Sequence, residues 1–361
     1  MHSFTSETAQ PSDDAMETEH ACTVGDARDM TTLASDSVDL VVTSPPYPMI
    51  EMWDETFASL NPAIGDALDA GDGERAFSLM HDELAAVWTE LSRVVRPGGI
   101  VCCNVGDATR TLDGSFSQYP NHARVTADMR ELGFRPLPDV LWRKPTNKAN
   151  KFMGSGMLPT NAYVTLEHEY VLVFRKGTET RPFEPGADRR YESAYFWEER
   201  NDWFSDVWTD LTGTMQDRHV DDAVRSRSAA FPFALPYRLV NMYSVYGDTV
   251  LDPFWGTGTT TLAAMLAGRD SRGYELDAGF AAAFDDRLDD LPARSRALVD
   301  ERLDRHRAFV ERCRAEGDTL GYEAEHYDFP VRTKQERRIR LYDVTDVEGT
   351  AEGYRVAYDP R

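Results

Sequence analysis

The sequence predicts an α/β fold around a mostly parallel sheet, and three observations support this prediction. Short apolar runs rich in β-branched residues end in turn residues, as buried parallel strands do. The segments between them carry apolar residues at a spacing near 3.6, which indicates crossover helices. With 361 residues, of which 41% are hydrophobic, the chain can form one large domain with an insertion, or two domains.

The predicted elements alternate along the chain. The predicted strands are ACTV (21–24), VDLVV (38–42), GIVCCNV (99–105), PDVLWRK (138–144), EYVLVFRK (169–176), DTVLD (248–252) and SRGYEL (271–276). The predicted helices cover residues 77–99, 123–134, 235–246 and 259–268, and the first is expected to stop at Pro97-Gly98-Gly99. Two charged helices up to about residue 316 and a hairpin, RRIRLYDV with GYRVAYD, are expected to complete the chain.

Composition divides the chain into five predicted parts. Residues 1–19 are polar and acidic and are expected to form a disordered tail. The alternating pattern fills residues 20–176 and returns over residues 229–290. Between them, residues 177–228 are rich in Arg, Asp and aromatic residues without clean periodicity, which indicates an insertion. Residues 291–361 form a helical and hairpin extension.

The charge balance is strongly acidic. The chain has 62 acidic and 39 basic side chains, a formal net charge of −23, and only 5 of the basic residues are Lys. DNA-binding proteins typically show the opposite balance. Carboxylates without Lys suit a salt-rich cytosol, where the repulsion between charges is screened, so the composition predicts a halophile. An ordinary acidic cytosolic enzyme is the alternative.

Several classes of protein are not expected. No stretch approaches the roughly 20 apolar residues that span a bilayer, and the first residues lack a signal-peptide pattern. Cys22, Cys102, Cys103 and Cys313 show neither CxxC spacing nor a His pair that would complete a zinc site. We therefore expect a cytoplasmic protein with no membrane partner, no disulfide framework and no metal.

A glycine-containing loop follows the predicted strand DTVLD. The loop, DPFWGTGTT (252–260), opens a helix, and its two glycines let the backbone approach a ligand. A phosphate-binding P-loop would need Lys, and a nicotinamide fingerprint would need a third glycine where Thr261 stands. Asp252 would repel a pyrophosphate but suits a cationic amine, and Glu275 can accept hydrogen bonds from ribose hydroxyls. The pair indicates S-adenosyl-L-methionine; a tight turn with incidental acids is the alternative.

A proline-rich loop, TSPPYP (43–48), follows the strand VDLVV. Consecutive prolines fix the loop, so the Ser44 hydroxyl and the Pro45 carbonyl can both act as acceptors. Two acceptors match the two hydrogens of an exocyclic base amine and would aim its lone pair at an electrophilic methyl group. Tyr47 offers a face on which an extruded base can stack. A proline-rich surface turn is the alternative.

Together, TSPPY and DPFWGTGTT resemble the motifs of the amino-group DNA methyltransferases. Further resemblances, including SVDLVVTSPPY, RVVRPGG, EHEYVLVFRKG and AAFPFALPYRLV, extend over roughly residues 20–280. The target loop precedes the cofactor loop, as in the circularly permuted beta group. The resemblance implies the S-adenosylmethionine-dependent methyltransferase fold, a seven-stranded, mostly parallel sheet, with target recognition in the insertion at 177–228.

The resemblance also implies roles for individual residues. The catalytic loop would comprise Ser44, Pro45, Pro46 and Tyr47. The cofactor would be held by Asp26 at the adenine amine, Phe231, Glu275 at the ribose, and the loop residues Asp252, Phe254, Gly256, Gly258 and Thr259.

Serine at the first position of this loop is typical of enzymes that methylate cytosine on N4. The segment SPPYPMIEMWDE resembles the archaeal CTAG modification methylases, which act in restriction-modification systems or as orphan methylases. The resemblance implies double-stranded DNA as substrate and allows a cognate restriction endonuclease as partner. An N6-adenine DNA methyltransferase, an RNA base methyltransferase and a non-catalytic DNA-binding regulator remain alternatives.

A basic segment follows the predicted strand PDVLWRK. Residues 142–151 contain four cations and no acid: Arg143, Lys144, Lys148 and Lys151. We expect them to contact DNA phosphates, with a solvated loop as the alternative, and we expect the protein to associate with the nucleoid. Arg189 and Arg190 in the insertion could contact guanine or phosphate, although an aromatic core explains the composition of the insertion equally well.

Overall fold

The computed structural model describes residues 16–144, 154–211 and 231–361. The strands are β1 (Met16–Val24), β2 (Val38–Thr43), β3 (Val95–Val105), β4 (Ala108–Leu112), β5 (Ser115–Tyr119), β6 (Phe134–Pro136), β7 (Val140–Arg143), β8 (His168–Lys176), β9 (Val207–Trp208), β10 (Thr249–Asp252), β11 (Asp270–Glu275), β12 (Tyr322–Glu323), β13 (Pro330–Val331), β14 (Tyr342–Gly349) and β15 (Tyr354–Pro360). The helices are α1 (Asp54–Leu60), α2 (Pro62–Asp69), α3 (Gly73–Val94), α4 (Asn121–Glu131), α5 (Asp188–Glu192), α6 (Trp197–Trp203), α7 (Ala234–Tyr243), α8 (Thr259–Ala267), α9 (Ala278–Ala282) and α10 (Leu291–Ala315). Short 3₁₀ helices cover Glu51–Trp53, Asp285–Arg287 and Lys334–Arg338.

A central sheet organises the fold. Its strand order is β14-β15-β1-β11-β10-β2-β3-β8-β7-β9, and β6 also pairs with β8. The strands from β1 to β3 in this order run parallel, whereas β8 is antiparallel to β3 and β7 is antiparallel to β8. The first strand in the chain lies beside β11, which follows about 250 residues later, as the permuted order predicts. The predicted mostly parallel α/β fold is confirmed.

Burial explains why the sheet carries helices on both faces. All six residues of β2 are buried, and they alternate between two cores. Val41 belongs to the core under α3, which also contains Trp88, whereas Leu40 belongs to the core under α8. All nine residues of α8 are buried, which is the pattern of a helix covered on every side.

Three predicted boundaries are wrong. β1 begins at Met16, within the predicted tail, because Met16 pairs with Tyr358 of the C-terminal hairpin. α3 ends at Val94 rather than at residue 99, because Val95 already pairs with Val38 of β2. In place of two charged helices up to about residue 316, the described structure has the short, uncharged α9 and one long charged helix, α10.

The C-terminal hairpin enlarges the sheet beyond the seven predicted strands. β15 pairs antiparallel with β1, and β14 pairs with β15, so the hairpin is part of the main sheet. At the opposite edge, β9 of the insertion adds a strand beside β7. Among the described residues, the central sheet has eleven strands: the seven predicted ones, β6, β9 of the insertion, and β14 and β15 of the C-terminal hairpin.

The described part of the insertion shares a core with the C-terminal extension. Phe196 of the insertion packs with Val299 and Leu303 of α10 and with Phe329. Phe196 therefore finds its apolar partners more than a hundred residues later in the chain.

Two arginines of the insertion have structural partners at the amino ends of the strands. Arg189 donates to a carboxylate oxygen of Asp248 and to the carbonyl of Tyr246. Arg190 lies over the ring of Phe183 at 4.9 Å. These contacts place both side chains in internal interactions, away from the strand ends that carry the loops TSPPYP and DPFWGTGTT.

Within the described ranges, no group of acidic, His and Cys side chains is arranged to hold a metal ion. None of the helices described is long and apolar enough to cross a membrane. Cys102, Cys103 and Cys313 are buried and unpaired.

Candidate active site

Loops at the carboxyl ends of β1, β2, β10 and β11 surround a cavity of about 490 Å³. This volume falls within the range of small-molecule and cofactor pockets, and ligands of α/β sheets bind at this edge. The predicted residues that line the cavity are Asp26, Ser44, Pro45, Pro46, Phe231, Asp252, Phe254, Gly256, Thr259 and Glu275. The structure therefore brings the two predicted loops together around one space.

Gly258 shapes the cofactor loop from behind. Its φ of +72° lies in the left-handed region. A Cβ atom there would lie 2.5 Å from the ring of Phe284 and 2.7 Å from that of Trp255. Only glycine fits, and α8 begins at the next residue, Thr259.

Asp252 presents a buried carboxylate to this cavity. Its Oδ1 atom accepts hydrogen bonds from the Thr43 hydroxyl at 2.7 Å and from the Phe254 amide at 3.1 Å. Burial raises the pKa of Asp252 to about 6, and hydrogen bonds from Thr43 and Thr260 limit the rise. Among the described residues, no cationic side chain forms an ion pair with it. A cationic amine in the cavity would supply the missing charge.

Glu275 ties the glycine loop to β11. One of its carboxylate oxygens accepts from the Gly256 amide at 2.7 Å, and the other accepts from the Asp277 amide at 2.9 Å. Each carboxylate oxygen can accept a second hydrogen bond, so ribose hydroxyls could still bind.

Asp26 lines the cavity and already has an ionic partner. Its Oδ2 atom accepts from Arg28 Nε at 2.9 Å and from Arg28 Nη2 at 2.6 Å. The Arg28 guanidinium also contacts Glu83. The contact predicted with an adenine amine would therefore use the remaining acceptor capacity of an ion-paired carboxylate.

A hydrogen-bonded network lies beneath the catalytic loop. The Tyr47 hydroxyl lies 3.0 Å from Ser44 Oγ and donates to Glu169 Oε2, also at 3.0 Å. Asn104 Nδ2 donates one hydrogen bond to the Tyr47 oxygen, at 2.8 Å, and another to Glu169 Oε2, at 2.7 Å. Burial and the nearby Glu169 carboxylate raise the pKa of Tyr47, so its hydroxyl stays protonated. Tyr47 does not line the cavity directly but fixes the position of Ser44 from behind.

Sequence reasoning missed Glu169 and Asn104. Both are buried polar residues in strands that otherwise carry apolar side chains, and Glu169 is only 8% exposed. A carboxylate at the start of an apolar strand is a signal that could have identified Glu169, because acidic residues are rarely buried without a partner.

The four cations predicted to contact DNA near the end of β7 differ in their surroundings. Lys144 Nζ lies 2.5 Å from Glu169 Oε1, so its charge is engaged inside the network rather than free for a phosphate. The Arg143 side chain is 62% exposed and pairs with Glu167 at 3.0 Å. Lys148 and Lys151 lie outside the described residues.

Comparisons with known proteins agree with this geometry. The family model described as DNA methylase matches residues 38–285. The type II methyltransferase M.MthZI of Methanothermobacter thermautotrophicus is 51% identical over 330 residues, which cover 91% of each chain. M.MjaI of Methanocaldococcus jannaschii, also a type II methyltransferase, is 47% identical over 282 residues, which cover 75% of this chain and 91% of that protein.

Solved structures show the same fold. A candidate DNA modification methylase of Thermus thermophilus, in complex with S-adenosyl-L-methionine, is 32% identical, with a TM-score of 0.58 over 76% of this chain and 94% of that chain. The cytosine-N4-specific PvuII DNA methyltransferase is 18% identical, with a TM-score of 0.55 over 76% of this chain and 87% of that chain, and this likeness concerns the fold alone.

The cavity suits S-adenosylmethionine, because its buried carboxylate Asp252 has no ion-pair partner among the described residues, and Arg28, a cationic side chain of the wall, is already paired with Asp26 and Glu83. Such a carboxylate matches the cationic amine of the methionine moiety. The matched family, the close relatives and this site agree, and the chain belongs to the family of N6/N4 DNA methylases, which use S-adenosylmethionine to methylate amino groups of DNA.

Proposed function

We propose that the protein is a site-specific DNA methyltransferase that modifies the N4 amine of cytosine, within the sequence CTAG. The observation that carries the proposal is that Ser44, the first residue of the loop Ser44-Pro45-Pro46-Tyr47, faces the same cavity as Asp252. Serine at this position is typical of cytosine-N4 enzymes, and the residues after it resemble those of CTAG methylases.

In this mechanism, S-adenosylmethionine supplies an electrophilic methyl group. The target cytosine leaves the helix and enters the cavity beside the loop. Ser44 Oγ and the Pro45 carbonyl accept the two hydrogens of its amine, so the nitrogen lone pair points toward the methyl group. Asp252 would hold the amino group of the cofactor and Glu275 its ribose. The contribution of the protein is positioning together with two fixed acceptors.

A surface near the end of β7 supports a DNA partner. Residues 140–166 contain no Asp or Glu, although the chain has 62 acidic side chains. Within the described part of this stretch, Met157 and Leu158 are 82% and 69% exposed. A surface without acidic side chains avoids repulsion from the DNA backbone, and its exposed apolar residues can pack against sugars and bases.

The basic residues of this surface would contribute less than in an ordinary DNA-binding protein. Phosphate contacts by Lys and Arg lose affinity steeply as salt rises. In the salt-rich cytosol that the composition predicts, binding would depend more on apolar contacts and on the flipped base. We further propose that the enzyme acts in the cytoplasm, at the nucleoid, either beside a restriction endonuclease or as an orphan methylase.

The test is to identify the methylated nucleoside. The protein is incubated with labelled S-adenosylmethionine and duplexes containing CTAG or a scrambled site, in buffer with high potassium, and the DNA is digested and analysed by mass spectrometry. We expect N4-methyldeoxycytidine from the CTAG duplex only. N6-methyldeoxyadenosine would contradict the choice of base, and equal labelling of both duplexes would contradict the choice of site.

A further inference from the structure

The direction of the hydrogen bonds beneath Ser44 can be derived from their partners. Glu169 is buried and lies beside the ammonium group of Lys144 and the amide of Asn104. An ionised carboxylate only accepts hydrogen bonds. The Tyr47 hydroxyl must therefore donate its single hydrogen to Glu169.

The rest of the chain of hydrogen bonds follows from this step. With its hydrogen used, the Tyr47 oxygen can only accept, and it accepts from Asn104 Nδ2 at 2.8 Å. Ser44 Oγ lies 3.0 Å from the same oxygen, so Ser44 must donate its own hydrogen to Tyr47. Both lone pairs of Ser44 Oγ then remain available, and the hydroxyl has no hydrogen left to offer a base.

We propose that Glu169 is a positioning residue that makes Ser44 an obligatory acceptor and thereby selects bases with an exocyclic amine over bases with a carbonyl at the same position. This inference rests on the proposed function, in which Ser44 accepts a hydrogen from the target amine. Cytosine offers N–H groups at position 4, whereas uracil offers an oxygen that needs a donor. A Ser44 hydroxyl that can only accept a hydrogen bond therefore binds the cytosine N–H group and repels the uracil oxygen.

Lys144 and Asn104 complete the hydrogen-bonded network that fixes Ser44 as an acceptor. Lys144 forms an ion pair with the Glu169 carboxylate, and Asn104 donates to Glu169 Oε2 and to the Tyr47 oxygen, so Glu169 acts only as an acceptor within this network. Lys144 thus supports catalysis from within the protein, in contrast to its predicted contact with a DNA phosphate.

The informative variant is Glu169→Gln. A carboxamide can donate through its nitrogen, so Tyr47 can accept from it and donate toward Ser44, which reverses the chain of hydrogen bonds. The control is Glu199→Gln, which removes the charge of another buried, ion-paired glutamate in the core shared by the insertion and the extension. Both variants are assayed at temperatures below their measured melting temperatures.

The readout is the preference between two bases. Duplexes carry cytosine or uracil at the target position opposite an abasic site, so that neither base has to break a pair. With the wild-type protein and sinefungin, a non-reactive cofactor analogue, we expect about tenfold tighter binding of the cytosine duplex, as for one hydrogen bond that is replaced by a repulsive contact. Glu169→Gln is expected to bring the two affinities to within about twofold, while Glu199→Gln keeps the wild-type ratio.

Transfer rates give a second readout. Single-turnover methylation of the cytosine duplex is expected to fall at least tenfold in Glu169→Gln, with the cofactor Kd unchanged, as for the loss of one positioning interaction. Tyr47→Phe removes the hydroxyl between Glu169 and Ser44 and should also reduce the preference for cytosine. This variant keeps the proposal testable if Glu169→Gln fails to fold.

The outcomes separate this inference from the proposed function. If the wild-type protein shows no preference for cytosine over uracil, the acceptor role of Ser44 fails, and the inference fails with it. If the wild-type protein prefers cytosine and Glu169→Gln keeps the full preference, the role of Glu169 is wrong while the proposed function stands.

Discussion

Two regions of this protein bury carboxylates in opposite ways. In the core shared by the insertion and the C-terminal extension, Glu199 accepts two hydrogen bonds from the Arg302 guanidinium at 2.6 and 2.8 Å, and Glu198 pairs with His306 at 3.0 Å. At the cofactor cavity, the described partners of Asp252 are hydroxyl and amide groups, without a cation.

This difference separates carboxylates that stabilise the fold from a carboxylate that is available to bind a ligand. A buried charge is costly unless it is paired, so the paired carboxylates of the shared core stabilise a contact between distant segments of the chain. A buried carboxylate without an ion-pair partner retains the free-energy cost of its burial until a cationic ligand binds. The two regions should therefore respond differently to mutation and to pH.

The largest effects are expected at the catalytic cavity. Ser44→Ala should reduce single-turnover methyl transfer by roughly 10³-fold, because an acceptor aimed at the reacting amine is lost. Asp252→Ala should also stop transfer, but by weakening cofactor binding about 100-fold through loss of a charge-assisted hydrogen bond. Titration calorimetry with S-adenosylmethionine tells the two variants apart, and equal cofactor affinity in both would contradict this division of roles.

In the shared core, removal of one ionic partner should affect stability rather than chemistry. Arg302→Met leaves the Glu199 charge buried and unpaired, which should lower the free energy of unfolding by about 3 kcal/mol or more. Denaturant unfolding measures this loss, and the double variant Glu199→Gln with Arg302→Met should recover part of it. A cofactor Kd that changes as much as the stability would show that this core contributes to the site.

The pH dependence of cofactor binding is expected to follow Asp252. Its pKa of about 6 in the free protein is above the usual value, so the carboxyl is mostly neutral at pH 5 and charged at pH 7. Because only the charged form pairs with a cationic amine, cofactor affinity should fall roughly tenfold from pH 7 to pH 5.

Calorimetry at these pH values checks the dependence, with Asp252→Asn as the matched control. The variant should bind weakly at every pH between 5 and 8. A wild-type affinity that is independent of pH, or an equal slope in the variant, would assign the titration to another group.

The smallest effect is expected for the exposed apolar residues Met157 and Leu158. Replacement of Met157 and Leu158 with Ala removes exposed apolar contact and should raise the KM for DNA about three- to tenfold, with kcat unchanged. Tyr322→Ala, which removes an exposed aromatic side chain of the C-terminal extension, is the control. An equal change in both, or no change in the first, would place the DNA elsewhere.

Sequence reasoning succeeded where a motif is local. Asp252, Gly256 and Gly258 stand within seven residues of one another, and their turn chemistry alone places them between a strand and a helix. The meeting of this loop with Ser44 followed from the resemblance to a family, and the structure confirms that both line one cavity.

Sequence reasoning failed where the hydrogen-bond partner of a residue is remote in the chain. Tyr47 meets Glu169 across 122 positions, and Glu199 meets Arg302 across 103 positions. Apolar periodicity and turn residues carry no information about such pairs, because the pairs form only when helices and strands that are distant in sequence pack together. The predicted roles of Arg143 and the other cations also required knowledge of which acids lie nearby.

The most direct test of the account is the nucleoside product of the wild-type protein and of Ser44→Ala, measured side by side on a CTAG duplex. The account predicts N4-methyldeoxycytidine from the wild-type protein and roughly 10³-fold slower formation of it by Ser44→Ala, although both bind S-adenosylmethionine with equal affinity. Methylated adenine from the wild-type protein, or undiminished methylcytosine from Ser44→Ala, would contradict it.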